Sequence, residues 1–169
     1  TPGIGMFSDD IRDAVKGHVF YMDELGFVNG AADRGEELKQ AVTCAKWAKS
    51  PMQSINYLSC HDNYTLWDRF IISNSHESEE MRIRMNKLAA AILFTAQGIP
   101  FFLHGEEFAR TKISEADGAP VENSYCSPLS VNAIDYDRAE QFSDLKAYYK
   151  GLIALRRAHK SFYLDTVDE

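Results

Sequence analysis

Apolar positions along the chain follow two rhythms: short unbroken runs, and stretches in which they return every three or four residues. The first kind reads as buried strand and the second as amphipathic helix. Gly3, Ile4, Gly5, Met6 and Phe7 form the first run and pass into the polar turn Ser8-Asp9-Asp10. Residues 11–15 then predict a helical turn closed by Gly17. Residues 18–33 are mixed, and Gly26, Asn29 and Gly30 break any period, which leaves a loop with one helical turn. Leu38, Ala41, Val42 and Ala45 predict a helix over 36–47, ended by Ser50-Pro51. A second strand follows, built on Ile55, Tyr57 and Leu58.

Glu77, Glu79 and Glu80 sit where a helix dipole favours acids, and Met81, Leu88, Ala91, Ile92 and Thr95 mark a long helix to about Gln97. Gly98-Ile99-Pro100 stops it. The aromatic content of Phe101-Phe102-Leu103 favours a third strand over another helix. Residues 110–138 are rich in Ser, Asn, Asp, Gly and Pro and predict a long loop, a kind that usually carries function. Leu145, Tyr148, Tyr149, Leu152 and Leu155 share one face of a helix over 143–159, with Arg156, Arg157 and His159 at its C-terminal end. Strand and helix thus alternate three times. That order requires right-handed crossovers and a parallel sheet, as part of either a doubly wound sheet or a (β/α)8 barrel.

With 45% hydrophobic and 12% aromatic residues in 169, the chain can bury a sizeable core, so disorder is not the expectation. A formal net charge of −7 without a long basic run argues against a nucleic-acid or anionic-membrane partner and favours a neutral substrate. No stretch approaches the roughly 20 apolar residues of a membrane span. Thr1-Pro2-Gly3-Ile4-Gly5 carries no signal-peptide pattern and reads as the middle of a longer chain, which leaves its location open between secreted and cytoplasmic. Cys44, Cys60 and Cys126 have neither the number nor the spacing of a disulfide framework or a zinc site and read as free thiols.

Candidate chemistry gathers where the second strand ends. His61 and Asp62 follow Ser59-Cys60, and in a parallel α/β sheet the site opens at the C-terminal ends of the strands. An imidazole beside an acceptor-only carboxylate suits the bracketing of sugar hydroxyls or the sharing of a metal ion. A His-Asp pair after a strand also serves as a loop cap. No metal-ligand spacing joins His61, Asp62, His104 and Glu106, so no metal site is assigned. Asp9, Asp10 and Asp13 read as turn or helix-capping acids with Arg12 as their partner. Glu106 and Glu107 read as structural acids, and Trp67 and Tyr125 as core aromatics before sugar-stacking ones.

Three segments, 55–68, 98–112 and 123–138, together resemble type I pullulanases of the α-amylase superfamily of glycoside hydrolases. The motifs are His61-Asp62-Asn63 followed by Thr65-Leu66-Trp67-Asp68, the Gly-Ile-Pro-Phe ahead of Gly105-Glu106-Glu107-Phe108, and the Asn123-Ser124-Tyr125 loop. His104, Cys126, Leu129 and Tyr136 depart from the residues usual in that family. The resemblance implies an α/β fold in which the chain, 1–169, is the C-terminal fragment of a (β/α)8 TIM-barrel catalytic domain and holds the last three strand-helix units, strands 6 to 8. It implies hydrolysis of α-1,6 branch linkages in pullulan, starch or glycogen-derived glucans by a retaining mechanism. The nucleophilic Asp and the Glu acid/base belong to strands outside this chain, so the fragment is expected to be inactive alone. Asp62 is expected to stabilise the transition state with His61 beside it, and Asn63, Asn123 and Asn132 to contact substrate. No cofactor is expected; a structural calcium, if the parent enzyme carries one, is not indicated by these residues. The expected partners are an α-glucan and the remainder of the barrel, with self-association of the isolated fragment. An isoamylase-like hydrolase and a non-catalytic carbohydrate-binding module stand as alternatives.

Overall fold

The computed structural model describes residues 3–166; Thr1 and Pro2, which belong to the stretch read for a signal pattern, lie outside it with 167–169. Along the chain come β1 (Met6–Ser8), α1 (Asp9–Lys16), α2 (Gly35–Thr43), β2 (Ser54–Asn56), α3 (Leu66–Ser73), α4 (Glu79–Thr95), β3 (Ile99–Pro100), α5 (Leu129–Asn132), α6 (Asp137–Gln141) and α7 (Ser143–Ala158). The strands form one parallel sheet in the order β1-β2-β3. Met6 lies opposite Ser54, Phe7 opposite Ile55 and Ser8 opposite Asn56, while Ile55 pairs with Ile99 and Asn56 with Pro100.

Because strand side chains alternate in direction, this register divides the sheet into two unlike faces. Ser8, Ser54, Asn56 and Leu58 face the helices and are buried. Ser54 Oγ donates to Asn56 Oδ1 at 2.6 Å, and Asn56 Nδ2 donates to the Gln97 carbonyl at 2.5 Å. Phe7, Ile55, Tyr57, Ile99 and Phe101 share the other face. The Phe7 ring meets the edges of Tyr57 and Phe101, at centroid distances of 4.9 and 5.2 Å. Phe7, Ile99 and Phe101 nonetheless stay exposed. Among the described residues this face is covered only in part, at Tyr57, which is buried with the Arg12 guanidinium 5.6 Å from its ring centre.

The core sits between sheet and helices. Ala89, Ala90 and Leu93 on α4 are fully buried and let that helix approach closely, with Phe94, Leu145, Tyr149 and Leu152 packed around them. Arg156 on α7 locks the corner after α4, donating to the carbonyls of Phe94, Ala96 and Gly98 at 2.9, 2.6 and 2.5 Å. Carbonyls at a helix C-terminus lack partners within the helix, and a cation there also suits the dipole. Gly98 turns the chain with φ +91°, and a Cβ there would stand 2.8 Å from the Ser54 carbonyl oxygen.

Four expectations shift. The third strand is Ile99–Pro100 and extends only by the bond from Phe101 N to the Asn56 carbonyl at 2.7 Å, because Phe102 turns onto Phe94 and Tyr149. The helix expected over 36–47 ends at Thr43. α3 was not expected: in eight residues it buries the charged Asp68 and Arg69 beside Leu66, Trp67 and Phe70, so no exposed polar face marks it. α5 and α6 are short helices inside the expected long loop.

Candidate functional site

The strands end in loops that meet at one edge of the sheet, and the polar residues there form an exposed rim above buried networks. At the base, Arg12 on α1 donates to Asp9 Oδ1 at 2.6 Å, Asp13 Oδ1 at 2.7 Å and Tyr57 OH at 2.6 Å. Tyr57 OH in turn donates to Asp9 at 2.9 Å. The pairing of Asp9 and Asp13 with Arg12 is as expected, whereas Asp10 instead accepts from the Lys46 amide at 2.9 Å.

A second network lies deeper. Glu106, 3% exposed, receives the hydroxyl proton of Ser59 at 2.5 Å and lies 3.3 Å from Tyr149 OH. Tyr149 has one proton and stands 2.8 Å from Asn86 Oδ1, its shorter contact. With that proton given to Asn86, the bond to Tyr149 is best made by a protonated Glu106. Burial pushes the Glu106 carboxyl up to about 7, against hydrogen bonds and the Lys16 charge that favour ionisation. Burial likewise pushes the Lys16 ammonium down to about 8, with Arg12 and Arg69 adding repulsion. Glu107 Oε2 accepts from the Gly105 amide at 2.9 Å. Both glutamates thus make structural bonds.

A third network ties the loops. Asp68 at the start of α3 accepts from the Thr111 hydroxyl and from the Lys112 amide, the latter at 2.9 Å. Thr65 caps α3 by accepting from Asp68 N at 3.1 Å. Lys112 Nζ donates to Ser124 Oγ at 2.7 Å, and Ser124 Oγ donates to Asn132 Oδ1 at 2.7 Å. Burial raises the Asp68 carboxyl despite its hydrogen bonds, and lowers the Lys112 ammonium.

The rim carries the residues singled out from sequence. His61 Nε2 lies 3.3 Å from Asp62 Oδ2, and the two side chains are 82% and 58% exposed. Asn63 takes a left-handed conformation with φ 57°, and its amide donates to Asn123 Oδ1 at 2.7 Å. Its side chain also reaches Glu122 at 3.3 Å. His61, Asp62, Asn63 and Asn123 therefore belong to one surface. Asn132 is placed differently: its Nδ2 donates to the carbonyls of Ser124 and Ser127 at 2.8 and 3.3 Å, which holds the loop from within. Tyr125 is exposed, whereas Trp67 is buried against Phe142 at 5.3 Å. Cys44, Cys60 and Cys126 are free thiols. Cys60, His61 and Asp62 each offer one ligand atom, all within 4.8 Å of one another.

Sequence reasoning missed the Ser59-Glu106-Tyr149 and Asp68-Thr111-Lys112 networks. The spacing Thr65-x-x-Asp68 is the signal that was available for the second, as a helix-start pattern. Ser59, Glu106 and Tyr149 are distant in sequence and carry no such mark.

A parallel α/β sheet with its polar residues gathered beyond the strand ends defines the general class, and comparison with known proteins narrows it. No family model matches the chain. It is 40% identical over 170 residues to the pullulanase of Bacillus subtilis (strain 168), an alignment covering 96% of this chain and 23% of that protein. Among solved structures, pullulanase from Paenibacillus barengoltzii in complex with maltohexaose and α-cyclodextrin superposes with a TM-score of 0.90 at 46% identity, over 99% of this chain and 26% of that one. Pullulanase from Anoxybacillus sp. LM18-11 complexed with maltotriose gives 0.92 at 43%, over 99% and 23%. Over nearly its whole length the chain is homologous to pullulanases and shares their α/β fold. It spans about a quarter of the length of these relatives.

Proposed function

We propose that the chain is the C-terminal part of the (β/α)8 catalytic barrel of a pullulanase-type glycoside hydrolase, contributing strands 6 to 8, and that it serves cleavage of α-1,6 linkages in branched α-glucans. The observation that carries this reading is the His61-Asp62 pair: adjacent, exposed and beyond the end of β2, in a chain homologous to pullulanases. The relatives solved with maltohexaose and maltotriose support an α-glucan as the ligand.

A retaining glycosidase brings nucleophile and acid/base to about 5 to 5.5 Å across the scissile bond, and both fall to strands outside this chain. Asp62 contributes a third carboxylate. Its oxygens accept from hydroxyls of the sugar at the cleavage point, and such bonds strengthen as the ring flattens toward an oxocarbenium ion. His61 holds a neighbouring hydroxyl. Asn63 and Asn123, bonded to each other, form the adjoining wall. Asn132 keeps the 124–127 loop in place, and a direct substrate contact through it would need one of its bonds to open.

In the parent enzyme, Asp62→Asn removes a charge-assisted bond made chiefly in the transition state, so kcat falls by about 100-fold or more while KM changes little. A variant with near-normal kcat would take Asp62 out of the catalytic machinery. The exposed face of Phe7, Ile99 and Phe101 is assigned to the remaining barrel strands. Without them the chain should self-associate through that face, since unpaired strand edges and apolar surface both recruit partners. Sedimentation at micromolar concentration checks this, and a monodisperse monomer contradicts it.

A further inference from the structure

Three consecutive residues, Cys60, His61 and Asp62, turn three different donor types toward one point. In an extended chain successive side chains alternate in direction, so convergence needs a bend. The bend is built: Cys60 Sγ contacts the Asp62 carbonyl oxygen at 3.9 Å, Asn63 follows in the left-handed region, and its amide is tied to Asn123 at 2.7 Å. Ligand atoms around a tetrahedral zinc, bound at about 2.0 to 2.3 Å, stand about 3.3 to 3.6 Å apart. His61 Nε2 and Asp62 Oδ2 already lie 3.3 Å apart, and all three ligand atoms fall within 4.8 Å. A rotation of the partly exposed Cys60 side chain would close the remaining gap.

We propose that Cys60, His61 and Asp62 form a binding site for one thiophilic divalent cation of the zinc class. Thiolate and imidazole favour zinc, cadmium or cobalt over calcium and magnesium, which require oxygen ligands. Three protein ligands on an open rim leave the fourth position to water. Lys112, whose charge bears on Cys60 and Asp62, is buried and donates its Nζ to Ser124 Oγ at 2.7 Å, so its ammonium is held by the loop network. Binding releases the thiol proton to solvent, and no redox change is involved. The site does not depend on the sugar-binding role given to His61 and Asp62. Where both hold, cation and sugar hydroxyl exclude each other, and the cation acts as an inhibitor whose action passes through Cys60.

Cobalt(II) titrated into the reduced 169-residue chain tests this. The expected result is a near-ultraviolet thiolate-to-cobalt charge-transfer band that saturates at one equivalent, is bleached by zinc and is untouched by excess calcium. Cys60→Ser abolishes the band, Cys126→Ser keeps it, and His61→Ala weakens cobalt binding about tenfold or more. In the unaltered chain, zinc also slows alkylation of Cys60 by iodoacetamide, a readout that requires no variant to fold. A chain that develops no band at millimolar cobalt, a band that survives Cys60→Ser, or alkylation of Cys60 indifferent to zinc overturns the proposal.

Discussion

The carboxylates beneath the rim and the carboxylate on it have opposite surroundings. Asp68 is wholly buried, and its two oxygens accept from Thr111 and from the Lys112 amide. Glu106 is as deep and spans Ser59 and Tyr149. The Asp62 carboxylate lies 3.3 Å from His61, and more than half of its side chain faces solvent. A carboxylate already committed to protein donors can offer a ligand nothing without losing bonds. One that keeps its lone pairs toward water exchanges water for a hydroxyl or a cation at little cost to the fold. The contrast separates acids that hold the loops from the acid that the loops present.

The strongest way to break this contrast is to remove a buried member. Asp68→Ala leaves the Lys112 amide and the Thr111 hydroxyl without their acceptor and frees the start of α3 from the loop after β3. Each unsatisfied buried donor costs about 1 to 3 kcal/mol, so chemical denaturation should show a loss of about 3 kcal/mol or more. A loss under about 0.5 kcal/mol would mean that Asp68 is not the brace its geometry describes.

How far these networks were legible in the sequence follows from the reach of their signals. The strand at Ile55 shows as a short apolar run and the face of Leu145, Tyr149 and Leu152 as a period, whereas the long helix ending at Thr95 is found but not its inner face: Met81, Leu88 and Thr95 are exposed, and Met85, Ala89, Ala90, Leu93 and Phe94 are buried. α3 did not, because its charged Asp68 and Arg69 are buried with its apolar residues, and the β-branched and aromatic residues of Trp67-Asp68-Arg69-Phe70-Ile71-Ile72 favour a strand over the helix that Thr65 caps. His61 and Asp62 stood out as adjacent polar residues after an apolar run. Ser59, Glu106 and Tyr149 meet only through tertiary packing, and Asn132 looked like Asn123 until the structure placed its amide inside the loop.

A smaller effect comes from the protonation of Glu106. Its folded-state value, about 7, lies above the 4.5 of a free side chain. A raised value means that the folded state holds the proton more tightly, so the contribution to stability is full below about pH 4.5 and is lost as pH rises through about 7. The loss amounts to about 3 kcal/mol across that window, at 1.36 kcal/mol per pKa unit. Glu106→Gln reproduces the protonated form, with the amide carbonyl accepting from Ser59 and the NH2 donating to Tyr149. It should remove most of this pH dependence and be more stable than the unaltered chain at pH 8, where the gap in denaturation midpoint should be wider than at pH 5. Equal slopes for the two proteins between pH 5 and 8 would show that Glu106 is ionised in the fold at neutral pH.

The smallest expected effect is the most informative about the rim. Asp62→Asn leaves every buried bond intact: the carboxylate caps no helix, and its contact with His61 is an exposed one that water replaces. Exposed ion pairs contribute about 0 to 1 kcal/mol, and side-chain entropy regained on breaking them offsets part of that. The denaturation midpoint should therefore move by no more than the equivalent of about 0.5 kcal/mol, as should that of His61→Ala. In the parent enzyme the same Asp62→Asn change is expected to abolish most turnover. A residue whose loss is felt in kcat and not in stability is one the fold presents without depending on it. Should Asp62→Asn instead destabilise the chain by as much as Asp68→Ala, the two acids are of one kind, and Asp62 is a structural cap of its loop.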